Sequence, residues 1–185
     1  DSVSDSAGTD TILLRTGSIN LSGIFVENVT GDIVGQAFSI TGNSLANALA
    51  GAGQADTLNG GGGTDTLAGG LGADSLFGGT GRDQFVFNSA LDAANVDRIS
   101  DYSTTDDTIV LDDAVFTALG SPGTLAAGAF KAGAAATDAD DRIIYNTSTG
   151  ALLYDADGSG SGLAIQFATL SGLTGTLNAA EFIII

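Results

Sequence analysis

Cysteine, histidine, methionine and tryptophan are all missing from this 185-residue sequence, and proline occurs once. Without cysteine there are no disulfides and no thiolate metal sites. Without histidine the usual general base, the usual zinc ligand and every histidine-containing catalytic triad are excluded. Basic residues are scarce as well: 5 Lys plus Arg stand against 22 Asp plus Glu, a formal charge of −17. Such a chain does not bind nucleic acid or an anionic membrane surface without a bridging cation. No apolar run approaches the ~20 residues of a membrane-spanning helix, so direct membrane insertion is not expected. The stretch Asp1 to Asp10 lacks the basic and apolar segments of a secretory leader. With no initiator methionine, the chain reads as a fragment or a processed product.

What is abundant is glycine, with 28 residues, and aspartate, since Glu27 and Glu181 are the only glutamates. Aspartate suits turns and short-reach metal ligation, whereas glutamate suits helix surfaces. Between Gly42 and Val86 these residues fall into nine-residue units: GNSLANALA, GAGQADTLN, GGGGTDTLA, GGLGADSLF and GGTGRDQFV. An acidic column runs through Asp56, Asp65, Asp74 and Asp83, with Asn47 ahead of it in the same register. Two places later stands an apolar column of Leu49, Leu58, Leu67, Leu76 and Phe85. A period of nine matches neither a 3.6-residue helix nor a plain alternating strand. It matches a turn of about six residues followed by a strand of about three. Glycine allows positive φ in the turn and close approach of backbone carbonyls. Two units complete one coil, so each turn is expected to stack on the turn two units away. A flexible Gly/Asp-rich linker would not need a large apolar residue at every ninth place.

The units resemble the repeats-in-toxin (RTX) nonapeptide, glycine-glycine-x-glycine-x-aspartate-x-apolar-x, a calcium-binding repeat. Three consecutive units fit it closely and the unit at Gly51 fits in part. The resemblance implies an all-β fold: a parallel β-roll with an N-terminal β cap and a C-terminal antiparallel sheet or sandwich cap. It also implies calcium, roughly two to four ions, held between stacked turns by carboxylate and carbonyl oxygens. On that basis turn Gly51–Asp56 pairs with Gly69–Asp74, and Gly60–Asp65 with Gly78–Asp83. The implied ligand set is Asp56, Gly60, Gly61, Gly62, Gly63, Asp65, Gly69, Gly70, Leu71, Gly72, Asp74, Gly78, Thr80 and Asp83. Asp92, one period past Asp83, is expected to close a site with Gly69–Asp74. Asp101 is also assigned to the metal, with Asp106 and Asp107 as further candidates beside a plain solvated surface. Gln54 departs from the pattern beside Asp56. In the first unit Leu45 and Asn47 replace glycine and aspartate, so that turn reads as structural, with Asn47 bonded to its own backbone.

The flanks are read as extensions. Residues 1–41 carry strand signals at 11–15, Ile24 to Val29 and 38–41, and serve as an N-terminal cap, because solenoid ends expose apolar faces. Residues 42–87 form the roll. Residues 88–185 form a β-rich capping region with strands at 96–100, 107–111, 142–145, 151–154 and 163–168. This region resembles the sheet that follows the roll in serralysin-type metalloproteases and related exported proteins. Asp155 and Asp157, in YDADGSGSG, are a candidate calcium turn set against a simple hairpin. It is not an EF-hand, since Gln166 stands where the bidentate glutamate belongs. The terminal EFIII resembles the uncleaved tail read by type I exporters, and equally an ordinary last strand. The expected function is a calcium-folding module at the C-terminal end of a secreted bacterial protein, extracellular or at the cell surface, with no catalysis of its own. The alternative is a calcium-dependent carbohydrate-binding module of the alginate-epimerase kind, or an adhesin domain, with polysaccharide as partner.

Overall fold

The computed structural model describes residues 8–185, and nearly all of its regular structure is β. The first strands are β1 (Thr11–Leu14), β2 (Ser18–Asn20), β3 (Asn28–Gly31), β4 (Ser39–Thr41), β5 (Ala48–Ala50), β6 (Thr57–Gly63), β7 (Thr66–Ala68), β8 (Ser75–Gly81) and β9 (Gln84–Phe87). Odd-numbered strands stack in one sheet and even-numbered strands in the other, all parallel. Through the repeats the pairing step is eighteen residues, as in Ala48↔Thr66, Thr66↔Gln84 and Thr57↔Ser75. Two nine-residue units therefore make one coil, as their spacing predicts.

The alternation of each short strand turns one side chain into the space between the sheets. Leu49, Leu67 and Phe85 line it from one side, Ile40, Leu58 and Leu76 from the other, and none is more than 2% exposed. Each such burial contributes about 1.5–3 kcal/mol. The same columns continue N-terminally through Val29 into Ile12 and through Ile40 into Ile19, so residues 11–41 extend the roll. The stretch expected from Ile24 to Val29 is shifted: β3 begins at Asn28, and residues 24–27 form the preceding turn, with Val26 buried and Phe25 exposed.

Beyond the repeats come β10 (Asp97–Ile99), β11 (Thr108–Leu111), β12 (Gly123–Thr124), β13 (Phe130–Ala132), β14 (Ile143–Asn146), β15 (Ala151–Tyr154), β16 (Ile165–Leu170) and β17 (Phe182–Ile184). Antiparallel pairs occur here, as expected: β14 with β15, β15 with β16, and β12 with β17. They do not form a separate sheet. β10 and β11 add to the two roll sheets in parallel, and β16 and β17 then add to β10 and β11, also in parallel. The cap is thus grafted edge to edge onto the roll. Residues Asn146 to Gly150 form the tight turn between β14 and β15, with Gly150 accepting a positive φ of 76°. An aromatic cluster of Phe87, Phe116, Phe167 and Tyr154 fills the core where roll and cap meet.

Candidate metal centre

The repeat aspartates form two ladders, one along each edge of the roll. Each uses Oδ1 to accept the backbone N–H of the equivalent residue one coil earlier. On one edge Asn47 N–H donates to Asp65 at 2.7 Å, Asp65 N–H to Asp83 at 2.9 Å, and Asp83 N–H to Asp107 at 3.1 Å. On the other, Phe38 N–H donates to Asp56 at 2.6 Å, Asp56 N–H to Asp74 at 2.7 Å, and Asp74 N–H to Asp97 at 3.1 Å. All six carboxylates are buried.

The second oxygen separates the turns into two kinds. In the turns starting at Gly42 and Gly51, the acceptor is closed by its own loop: Asn43 N–H donates to Asn47 Oδ1 and Ala52 N–H to Asp56 Oδ2, both at 2.9 Å. In the turns starting at Gly60, Gly69 and Gly78, the Oδ2 atoms of Asp65, Asp74 and Asp83 are buried with no hydrogen-bond partner among the described residues. These three turns have glycine at the second and fourth places, where φ is positive, from +95° at Gly70 to +132° at Gly81. Side-chain-bearing residues rarely adopt that conformation. Glycine therefore sets the turn geometry that leaves the carboxylate oxygen free.

What faces these oxygens is more oxygen. A Cβ placed on Gly60 would run into both Asp65 Oδ2 and the Gly78 carbonyl. One on Gly79 or Gly81 would meet the carbonyls of Gly61 or Gly63. The equivalent points between Gly51–Asp56 and Gly69–Asp74 gather Asp56 Oδ2 and the carbonyls of Gly69, Ala52 and Gln54. Among the described residues no three acidic side chains converge, so backbone carbonyls must supply most of any coordination shell. Hard oxygen donors of mixed carboxylate and carbonyl type, in glycine-opened space, suit calcium. The orphaned buried carboxylate oxygens lack a counter-charge, and a divalent cation would supply it. The residues present fit the ion.

Two overlapping windows, residues 41–76 and 50–85, match the family described as RTX calcium-binding nonapeptide repeat (4 copies). These are RTX repeats. No curated protein matches the chain. The RTX segment is a calcium-binding structural unit, not a catalytic one, and it spans the five turns just described.

The structure brings together most of the RTX residues assigned from the sequence. Turn Gly51–Asp56 stacks on Gly69–Asp74, and Gly60–Asp65 on Gly78–Asp83. Gly62, Leu71 and Thr80 hold the third place of their turns; Gly62 and Leu71 donate their N–H to Asn43 and Ala52 carbonyls. Asp101 lies over the last RTX turn, accepting from Gly78 N–H at 3.0 Å and Gly79 N–H at 2.9 Å. Asp106 is exposed and takes only the Ser103 hydroxyl.

One expectation is redrawn. Asp92 does not enter the ladder; it is exposed and accepts the N–H of Ala94 in its own turn. The place assigned to it goes to Asp97, which the nine-residue count could not find because the step from Asp74 is 23 residues, not 18. On the other edge Asp107 takes the equivalent place, after a step of 24. Asp155 and Asp157 are each closed locally, Asp155 by Asp157 N–H at 3.2 Å and Asp157 by Gly162 N–H at 2.9 Å. The Gly162 N–H holds the Asp157 carboxyl below the usual range.

Burial raises the carboxyls of Asp65, Asp74, Asp83, Asp97 and Asp107. It pushes Asp65, Asp74 and Asp107 up to about 6, against the lowering effect of the N–H groups they accept. Asp83 is raised too, by burial and then by the charges of Asp101 and Asp106. Asp97 rises furthest, to about 8, through burial and the adjoining charge of Asp74.

Proposed function

We propose that this chain is the calcium-folding module of a secreted bacterial protein, exported unfolded and ordered by calcium outside the cell. The observation that carries the reading is the set of buried Oδ2 atoms on Asp65, Asp74 and Asp83, which lack any donor among the described residues. Buried carboxylates without partners disfavour the folded state until a cation arrives. Clustered charge, −17 over 185 residues, acts in the same direction. In the RTX turns Asp65, Asp74 and Asp83, with Asp56 at one end, would hold the ions together with the carbonyls of Gly60, Gly61, Gly63, Gly69, Gly70, Gly72 and Gly78. Calcium would supply the missing positive charge between coils. At ten times its dissociation constant each site adds ~1.4 kcal/mol, so a few sites shift a marginally stable fold decisively.

Export follows from the same switch. Low calcium inside the cell keeps the coils open, and high calcium outside closes them, so a roll folded on emergence cannot slip back through a narrow channel. The tail would be read by a type I exporter only before folding, since Phe182 and Ile184 are buried in the sheet once β17 has docked. Fusing residues 1–185 behind a passenger in cells carrying such an exporter should give export, and removing the segment from Leu173 onward should abolish it. Equal export of both fusions would place the signal elsewhere.

A further inference from the structure

We propose that Asn43 and Asn47 form a metal-free clasp onto the preceding coil and, granted the calcium reading above, set the N-terminal limit of the ions on this edge of the roll. Each aspartate of the ladder accepts from the coil before it: Asn47 N–H donates to Asp65 and Asp65 N–H to Asp83. Asn47, in the same register, does the opposite. Its Nδ2 donates back to the carbonyls of Val26 at 3.0 Å and Glu27 at 3.3 Å. Asn43 joins it, giving its own Nδ2 to the carbonyls of Ile24 at 2.9 Å and Val26 at 3.1 Å.

The direction of both amides is fixed by their partners. Asn47 Oδ1 accepts Asn43 N–H at 2.9 Å and Asn43 Oδ1 accepts Leu45 N–H at 2.7 Å, so each NH2 group faces carbonyls. Asn47 is buried, and an aspartate of the same shape there would press an oxygen against carbonyl oxygens. An ion between these coils would need the carbonyls of the turn at 24–27. Those of Ile24, Val26 and Glu27 are already taken by the two amides, and Glu27 also receives Ala48 N–H at 2.7 Å. On the opposite edge an apolar side chain stands between the same coils. Val34 packs over Gly53, where an added Cβ would meet Val34 Cγ1 at 2.8 Å. The coil also lies outside the repeat rule, with steps of 20 from Asn28 to Ala48 and 21 from Ser18 to Ser39. An amide carries donor and acceptor together, so it satisfies the inter-turn carbonyls without needing a counter-charge. The N-terminal coil is thus fastened to the roll by bonds that calcium neither makes nor breaks.

The test pairs amide hydrogen exchange with calcium stoichiometry by equilibrium dialysis, on the full chain in saturating calcium, for the parent, Asn43→Ala and Asn47→Ala. Both variants are expected to keep the parent's ion count. The amides of residues 24–31 and of Ala48 should exchange about tenfold faster or more, the worth of one or two lost hydrogen bonds, while those of β8 and β9 stay as protected as in the parent. One ion fewer in Asn47→Ala would make Asn47 a ligand and overturn the clasp. Exchange unchanged from the parent in both variants would overturn it too. A parent that binds no calcium would sink the RTX reading and leave the exchange comparison to decide the clasp. Should Asn47→Ala fail to fold, Asn43→Ala and crystals of the parent grown with calcium decide, the latter by anomalous scattering. A peak on the Val26 or Glu27 carbonyl overturns the clasp, and peaks confined to the turns from Gly42 onward support it.

Discussion

At the scale of single residues, the two oxygens of one carboxylate have different jobs. Oδ1 of Asp74 holds the N–H of Asp56 in the coil before, while Oδ2 faces the inter-turn space unpaired. Replacing Asp74 by alanine should therefore do two kinds of damage. It leaves a buried N–H without an acceptor, at a cost of about 1–3 kcal/mol, and it removes charge from the metal space. Asp92→Ala removes only a surface turn contact and should cost within about 0.5 kcal/mol. Calcium titrations of the two variants check this, and equal midpoints would contradict the ladder. The same carboxyls set a pH dependence whose sign reverses with calcium. Folded-state values raised to about 6 for Asp65, Asp74 and Asp107, and to about 8 for Asp97, mean that the metal-free fold takes up protons. Their contribution is present below the unfolded-state pKa and is lost as pH rises through about 6 to 8. In chelator the chain should gain β-structure on acidification from about pH 8 to pH 5. In calcium, protons compete with the ion, so affinity should fall as pH drops below about 6. Circular dichroism across pH, with and without calcium, reads both arms.

At the scale of elements, the last strand is a structural part of the roll. β17 lies between β11 and β12 and buries Phe182 and Ile184. Deleting residues 182–185 should lower stability by about 3–6 kcal/mol, the worth of two large buried side chains, measured as a fall in the thermal midpoint in calcium. The repeat strands were legible in the sequence because one rule, glycine then aspartate then a large apolar residue every nine places, fixes turn, ladder and core at once. The strands at 107–111 and 151–154 were legible too, from local β-propensity. What lay hidden is pairing. Nothing local tells β16 to join β10, with Arg98 opposite Thr169, or β17 to join β11, with Ile109 opposite Phe182. Those contacts are set by which apolar edges remain open once the roll has formed. Asp97 escaped for a related reason: its loop is longer than the repeat, so a fixed count from Asp74 passed over it and stopped at Asp92, whereas Asp107 was legible as a candidate beside Asp101.

At the scale of the whole molecule, two sheets share one core from Ile12 to Ile184, while the edges of the roll carry columns of buried carboxylates. The apolar interior favours the fold and the buried acidic edges oppose it. No helix among the described residues is long and apolar enough to cross a membrane, and the chemistry concentrates at the turns. The most direct measurement is a far-ultraviolet circular dichroism titration of residues 1–185 with calcium, reversed by chelator. The account predicts a largely disordered chain in chelator and a cooperative gain of β-structure at micromolar to millimolar calcium, in the range of extracellular modules. An identical, fully folded spectrum in chelator and in calcium would contradict it.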